Sequence, residues 1–105
     1  SSDDIVLNKV IFSEISHFFS LIEVQKINKT ELLNSINKIK GNNFLHTLDI
    51  IGIDTCFEII KNLNEIDNRF YIPKIFEIAL KQNVLGKKNR NSINAIFLSN
   101  NYPEM

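Results

Sequence analysis

One stretch of the chain, Gly41-Asn-Asn-Phe-Leu-His-Thr-Leu-Asp-Ile-Ile-Gly52, decides its fold. Gly41 suits the left-handed conformation that ends a preceding helix, and Gly52 ends the short helix that follows. Asn43 can accept a hydrogen bond from the free backbone N–H groups in the first turn of that helix. The stretch therefore predicts a short helix whose apolar residues are Phe44, Leu45, Leu48 and Ile51.

Two longer amphipathic helices are predicted before this stretch. The first extends from Asp3 or Asp4 to about Glu23, and its apolar stripe consists of Leu7, Ile11, Ile15, Phe18 and Ile22. We expect this helix to be buried on more than one side, because its stripe is widened by Val6, Val10, Phe12, Phe19 and Leu21. The second helix opens at Thr30, a good N-cap, and its apolar face consists of Leu32, Leu33, Ile36 and Ile39.

Three more helices are predicted after the stretch. Asp54 caps the first of them, and Pro73 stands in the first turn of the second, where proline is tolerated. A turn-rich loop over 86–91 separates them from a last short helix at 92–98. No segment alternates cleanly enough to favour a strand, so the sequence predicts an all-α fold with antiparallel neighbouring helices. The expected core includes Phe12, Phe19, Leu33, Leu45, Leu48, Phe57, Ile60, Phe76 and Ile96.

The pattern of residues 41–52 resembles the inner-helix half of an ankyrin repeat, whose usual form is G-x-T-P-L-H-x-A-x-x-x-G. The two glycines, the capping residue, the leucine and the histidine of that form correspond to Gly41, Gly52, Asn43, Leu45 and His46. By this resemblance His46 helps to tie neighbouring loops together. The pattern differs from the family at the proline and at the small residue, which are replaced by Phe44 and Leu48.

A second copy resembling the same pattern occupies 91–101, where Asn94 takes the threonine position and Ile96 the leucine position. Ser92 takes the place of the first glycine, 51 residues after Gly41, whereas ankyrin repeats recur about every 33 residues. The resemblance implies a solenoid fragment in which 41–105 form ankyrin-like helix pairs, the last one truncated. Residues 1–40 would then cap the open end of the stack within the same structural domain. An irregular helical bundle is the alternative.

The truncated pair would leave the apolar side chains of the last helix without part of their cover. We expect a neighbouring chain, or the folded-back terminus, to cover Ile93, Ile96 and Phe97, because an exposed apolar face marks an interface.

Composition argues against several classes of function. Lysine and arginine together number 12, aspartate and glutamate also number 12, and the pI is near 6.7. This balance argues against nucleic acid as the partner, because such proteins concentrate positive charge on one face. No apolar run approaches the ~18 residues that would indicate insertion into a membrane. The single Cys56 excludes an internal disulfide, so a cytoplasmic location is the default.

Residues that carry chemistry are few. His17, His46 and Cys56 fall on three different predicted elements, so neither a metal nor another cofactor is expected. No motif supplies a base or an oxyanion site for Cys56, and His17 and His46 are most simply surface and structural residues. We therefore expect that the chain is not an enzyme.

The one basic cluster, Lys87-Lys88-Asn89-Arg90, supplies the candidate partner-binding residues Lys87, Lys88 and Arg90. The alternative is a plain polar turn between helices. The resemblance implies a protein-protein interaction module within a larger multidomain protein, with an unidentified protein as its partner. It permits the role of a secreted effector that acts in a host cytosol. The other hypothesis is a stand-alone helical protein of the immunity or antitoxin type that inhibits a partner enzyme.

Overall fold

A computed structural model describes residues 2–105 of the chain, with side chains from residue 6 onward. These residues form six α-helices and no β-strand, which confirms the predicted all-α class. The helices are α1 (Ser2–Glu23), α2 (Lys29–Lys40), α3 (Phe44–Ile51), α4 (Ile53–Ile66), α5 (Lys74–Lys81) and α6 (Asn94–Phe97). A short 3-10 turn, Lys87–Asn89, lies in the loop between α5 and α6.

The central stretch forms the short helix that its residues predict. Gly41 has a φ of 70° and ends α2 in the left-handed conformation. The side chain of Asn43 accepts a hydrogen bond from the backbone N–H of His46, at 3.2 Å. Gly52 has a φ of 100° and is the single residue between α3 and α4. A side chain at position 52 would be strained, so glycine is required there.

Three predicted helix starts are displaced. Asn28, not Thr30, caps α2, because its side chain accepts from Glu31 N–H at 3.0 Å and asparagine is the stronger cap. Asp54 lies in the first turn of α4, which begins at Ile53 directly after Gly52 and has no side-chain cap. Pro73 stands one residue before α5.

A single core unites α1, α3, α4, α5 and α6. Phe19 lies at its centre, with ring centroids 5.0 Å from Phe18, 5.5 Å from Phe76 and 6.4 Å from Phe97. The expected core residues that are buried are Phe12, Phe19, Leu45, Leu48, Ile60, Phe76 and Ile96. The other two, Leu33 and Phe57, are partly buried and pack against this core.

The apolar stripe of α1 is buried only in its C-terminal half. Ile15, Phe18 and Ile22 lie in the core as predicted. The stripe residues of the N-terminal half, Leu7 and Ile11, are exposed, contrary to expectation. Two of the residues that widen the stripe, Val6 and Val10, are exposed as well. In α2 no residue is fully buried, and Ile39 is exposed, contrary to the prediction that it lies on the apolar face.

The residues that follow α6 fold back over it. Tyr102 is buried, and its ring centroid lies 5.7 Å from that of Phe97. Lys29 of α2 donates to the backbone carbonyls of Ser99 and Tyr102, at 2.5 and 2.8 Å. Burial lowers the pKa of Lys29. Ile93, Ile96 and Phe97 are all buried, and the folded-back terminus covers Phe97 through Tyr102.

A buried carboxylate, that of Glu23, joins the end of α1 and the C-terminal Tyr102 to the start of α5. Glu23, the last residue of α1, accepts hydrogen bonds from the hydroxyls of Tyr71 (2.5 Å) and Tyr102 (2.6 Å). It also accepts from the backbone N–H groups of Lys74 (2.7 Å) and Ile75 (3.1 Å). These two groups are free donors at the start of α5, and Pro73 has no side-chain group that could cap them. Burial and the neighbouring carboxylate raise the pKa of both tyrosines.

Replacing Glu23 with glutamine should lower the free energy of unfolding by about 2–4 kcal/mol, because buried donors lose their charged acceptor. Urea denaturation followed by circular dichroism measures this loss. Glu58→Gln, on the exposed face of α4, is the matched control and should change stability by less than about 0.5 kcal/mol. Equal, small losses for the two variants would show that the Glu23 network contributes little.

Candidate protein-binding surfaces

The loop between α5 and α6 is held in one conformation by its own backbone. Gly86 and Asn91 exchange two hydrogen bonds, at 2.7 and 3.1 Å, which close the loop around the 3-10 turn. Gly86 has a φ of 90°, and a Cβ atom there would lie 2.5 Å from the carbonyl oxygen of Asp49. Only glycine allows this approach, so the loop is fixed directly against α3.

Asparagine side chains hold the same loop from within. Asn89 and Asn91 both donate from their side-chain amides to the carbonyl of Asn83, at 2.8 and 3.2 Å. The side-chain oxygen of Asn89 accepts from Leu85 N–H at 3.2 Å. The backbone carbonyl of Leu85 accepts from Ile53 N–H at 3.1 Å, which joins the loop to the start of α4. A run that reads in sequence as a plain polar turn is therefore an ordered part of the fold.

A second buried carboxylate connects α3 to the end of the loop. Asp49 accepts from the hydroxyl of Ser92 at 2.5 Å and from the backbone N–H of Ile93 at 2.9 Å. The Ser92 hydroxyl accepts in turn from Asn94 N–H at 3.0 Å. Within the described residues, every buried side-chain nitrogen and oxygen has a hydrogen-bond partner. The loop and α3 are thus joined by buried hydrogen bonds.

Between the loop and α3 lies a depression of 320 Å³, which we call the basic cleft. It brings together five of the residues that the sequence singled out, namely Asn43, His46, Lys87, Arg90 and Asn94. The side chains of His46, Lys87 and Arg90 are exposed. Leu45 and Ile96 lie in the core instead, and Gly41 and Gly52 serve as helix ends.

Lys88 does not line this cleft, although it belongs to the same basic run. Its ammonium group lies 2.7 Å from Asp54 Oδ1, and its side chain crosses the face of Gly52. The hydrogen bond from Lys88 holds the pKa of Asp54 below its usual range. Lys88 therefore ties the loop to α4, whereas Lys87 and Arg90 have no ion pair with an acidic residue among the described side chains.

A second depression, of 260 Å³, lies between α1 and α3, and we call it the apolar groove. Its lining includes Val10, Ile11, Ile15, Phe44 and Leu48. An ion pair of 2.8 Å between Glu14 of α1 and Lys40 of α2 borders it. The sequence identifies Ile11, Ile15, Phe44 and Leu48 as apolar helix residues but predicts no groove between the two helices that carry them.

A third depression, of 840 Å³, runs along α1 beside the turn at 67–70. Its charges largely neutralise one another. Arg69 makes a double contact with Asp67, at 2.8 and 3.0 Å, and holds the pKa of Asp67 at about 2. His17 is exposed on its wall, as expected of a helix-surface histidine.

Groups for catalysis or metal binding are sparse in the described part of the chain. Cys56 is buried, and burial together with the charge of Asp54 raises the pKa of its thiol to about 12. No three histidine, cysteine or acidic side chains of the described residues converge as metal ligands would. Nor is any described helix both long and apolar enough to cross a bilayer.

Comparisons with protein-family models, with curated proteins and with solved structures find no match for this chain. The ankyrin resemblance of residues 41–105 therefore stays a prediction. What the fold provides directly is the helix pair α3–α4, joined by Gly52 alone, and the loop packed against α3.

Lys88→Met should raise the pKa of Asp54 towards the ordinary aspartate value of about 3.9, because the variant removes the hydrogen bond that lowers it. Carboxyl ¹³C NMR during a pH titration measures this change. A depressed pKa in the folded state stabilises the protein above the unfolded pKa, and that gain is lost as the pH falls through the folded value. Lys87→Met is the control and should leave Asp54 unchanged. An unaltered Asp54 titration in Lys88→Met would contradict the assignment of this ion pair.

Arg90→Gly should increase the free energy of unfolding by about 0.5–1 kcal/mol, since Arg90 has a φ of 59°, which is costly for a residue with a Cβ atom. Lys87→Gly, three residues earlier in the same loop, lacks such strain to relieve and should lower stability. Thermal and urea denaturation compare the two. If both substitutions destabilise equally, the backbone at Arg90 is not strained.

Proposed function

We propose that this chain is a protein-interaction domain that binds an amphipathic helix of a partner protein in the apolar groove. The observation that carries the proposal is the exposed apolar face on the N-terminal half of α1. Val6 and Val10 are 61% and 64% exposed, and Leu7 is 56% exposed. Single exposed apolar residues are ordinary, but several on one helix face commonly mark an interaction site.

The shape of the site favours a helical occupant. The groove runs between two helices, and its floor is apolar, since Phe44 and Leu48 are buried beneath it. A partner helix that inserts apolar residues at i, i+3, i+4 and i+7 would cover the exposed face of α1 and contact this floor together. Removing such side chains from water is favourable by about 25 cal/mol per Å² of apolar area.

Charge complementarity further defines the occupant. Glu14 and Lys40 lie at the border of the groove and are only partly exposed, at 41% and 35% of their side-chain area. A partner helix with a basic residue near Glu14 and an acidic residue near Lys40 would complement this pair. Such pairs fix register and suppress wrong partners more than they add affinity. The occupant is thus a helix with an apolar stripe and charges of both signs beside it.

The ankyrin-like interpretation agrees with this proposal but is not needed for it. In that family, loop tips and inner helices contact the partner, and α3 with the following loop would take those roles here. The inhibitor hypothesis has no feature of its own in the described residues that would favour it over a general interaction domain.

A photo-crosslinking residue placed at Val10 tests the proposal, with the same residue at Glu58 as the control. Glu58 is exposed on α4 and lines neither the groove nor the basic cleft. We expect the Val10 position to capture a protein that the Glu58 position does not. The captured protein is then purified separately, and its Kd for Val10→Asp should be at least about tenfold higher than its Kd for the wild type. A loss of about 1.4 kcal/mol of binding free energy gives that factor.

Circular dichroism must show that Val10→Asp keeps its helical content, as expected for an exposed position. Equal binding by Val10→Asp and wild type would end the proposal. Sedimentation in which the wild type is a dimer and Val10→Asp a monomer would show a second copy of this chain as the occupant, and would also contradict it.

A further inference from the structure

We infer that the basic cleft binds a single carboxylate of an acidic side chain on a protein segment. This site is separate from the apolar groove: α3 contributes His46 and Asp49 to the cleft, but Phe44, Thr47 and Leu48 to the groove. The inference therefore does not depend on the proposed function, and each can fail alone.

Two cations that have no acidic partner among the described side chains lie together in the cleft. Elsewhere on the described surface Lys26, Lys40, Arg69 and Lys88 each pair with an acidic side chain within 4 Å, and the lysines without such a pair, such as Lys38, Lys61 and Lys81, do not line this cleft. Lys87 and Arg90 both line the cleft, are exposed, and form no such pair with a described residue. An incoming carboxylate can accept two parallel hydrogen bonds from the guanidinium of Arg90, the geometry in which arginine recognises carboxylates best.

The charge of the wall limits the ligand to one negative charge. Asp49 lines the cleft and is 5% exposed, and its carboxylate has only neutral donors, Ser92 Oγ and Ile93 N. The formal charges of Lys87, Arg90 and Asp49 sum to +1. That charge matches one carboxylate, whereas a phosphate dianion would exceed it and be repelled more strongly by Asp49.

The cleft is also held ready for a ligand. Movement of the loop away from α3 would break the hydrogen bonds that Ser92 and Ile93 donate to Asp49 and the bond from Ile53 N–H to the Leu85 carbonyl. Arg90 is kept in a left-handed backbone conformation that glycine or asparagine would take more readily. A strained residue that carries a charged side chain at the rim of a cleft is consistent with selection for binding instead of stability. Because little ordering is required, a small ligand can bind without a large entropic cost.

The polar side chains of α3 and α6 complete the site. The helix start of α3 is already capped, since Asn43 accepts from His46 N–H and Asn37 accepts from Phe44 N–H. The positive potential therefore comes from Lys87 and Arg90, not from free backbone groups. The side-chain amide of Asn94 and the imidazole of His46 face the same space and can donate to a carboxylate oxygen.

An NMR titration of the ¹⁵N-labelled full chain tests this inference. The probe is the capped tripeptide acetyl-Gly-Glu-Gly-amide, and the matched control is acetyl-Gly-Gln-Gly-amide, which has the same shape without the charge. We expect the glutamate peptide to shift the amides of His46 and of 87–94, and the glutamine peptide to shift them little. Raising the ionic strength from about 0.01 to about 0.1 M should weaken binding, because screening shortens from about 30 to about 10 Å.

Variants assign the effect to the cleft. Lys87→Gln and Arg90→Gln should each weaken binding of the glutamate peptide by about two- to fivefold, as expected for exposed ion pairs. Lys81→Gln, an exposed lysine at the end of α5, should leave it unchanged. Equal effects of the three variants, shifts outside the cleft, or equal shifts by both peptides would each overturn the inference. Inorganic phosphate that shifts the same amides at lower concentration than the glutamate peptide would overturn the assignment of one carboxylate.

Discussion

The carboxylate of Glu23 holds together three parts of the chain that lie far apart in sequence. It ends α1, supplies the acceptors that the start of α5 requires, and receives the hydroxyl of Tyr102 from the other end of the chain. Burying a carboxylate is costly unless its oxygens are fully hydrogen-bonded, and here four donors meet that condition. Each of these elements is consequently fixed relative to the others, and the aromatic core forms between them.

Asp49 repeats the same arrangement at the other end of the core. It lies on α3, is buried, and accepts from Ser92 and Ile93 just before α6. Glu23 satisfies two backbone N–H groups at the start of α5, and Asp49 satisfies one just before α6, where it also accepts from the Ser92 hydroxyl that receives the Asn94 N–H. Short helices gain little stability from their own hydrogen bonds. Such long-range caps therefore explain how α5 and the four-residue α6 persist in this fold.

The structural features that the sequence predicts correctly are those that depend on neighbouring residues. The helix period, the left-handed Gly41, the Asn43 cap and the break at Gly52 all follow from neighbouring residues, and the structure confirms them. Features that depend on distant partners were missed. Glu23 and Asp49 occupy sequence positions typical of solvated helix residues, and no neighbouring residue in the sequence indicates that they are buried. For the same reason, spacing alone could not separate Lys88, which pairs with Asp54, from Lys87 and Arg90, which line the cleft.

The position of α3 connects stability to the two candidate surfaces. Its eight residues are capped at the start by Asn43, end at Gly52, and carry Asp49 on the side facing the loop. The apolar groove lies along one side of this helix and the basic cleft along the other. A displacement of α3 towards the groove would stretch the Asp49 hydrogen bonds, whereas a displacement towards the cleft would press its backbone against Gly86. Rigidity is therefore a property that the two surfaces share, because the contacts that fix α3 in the core also set the width of both.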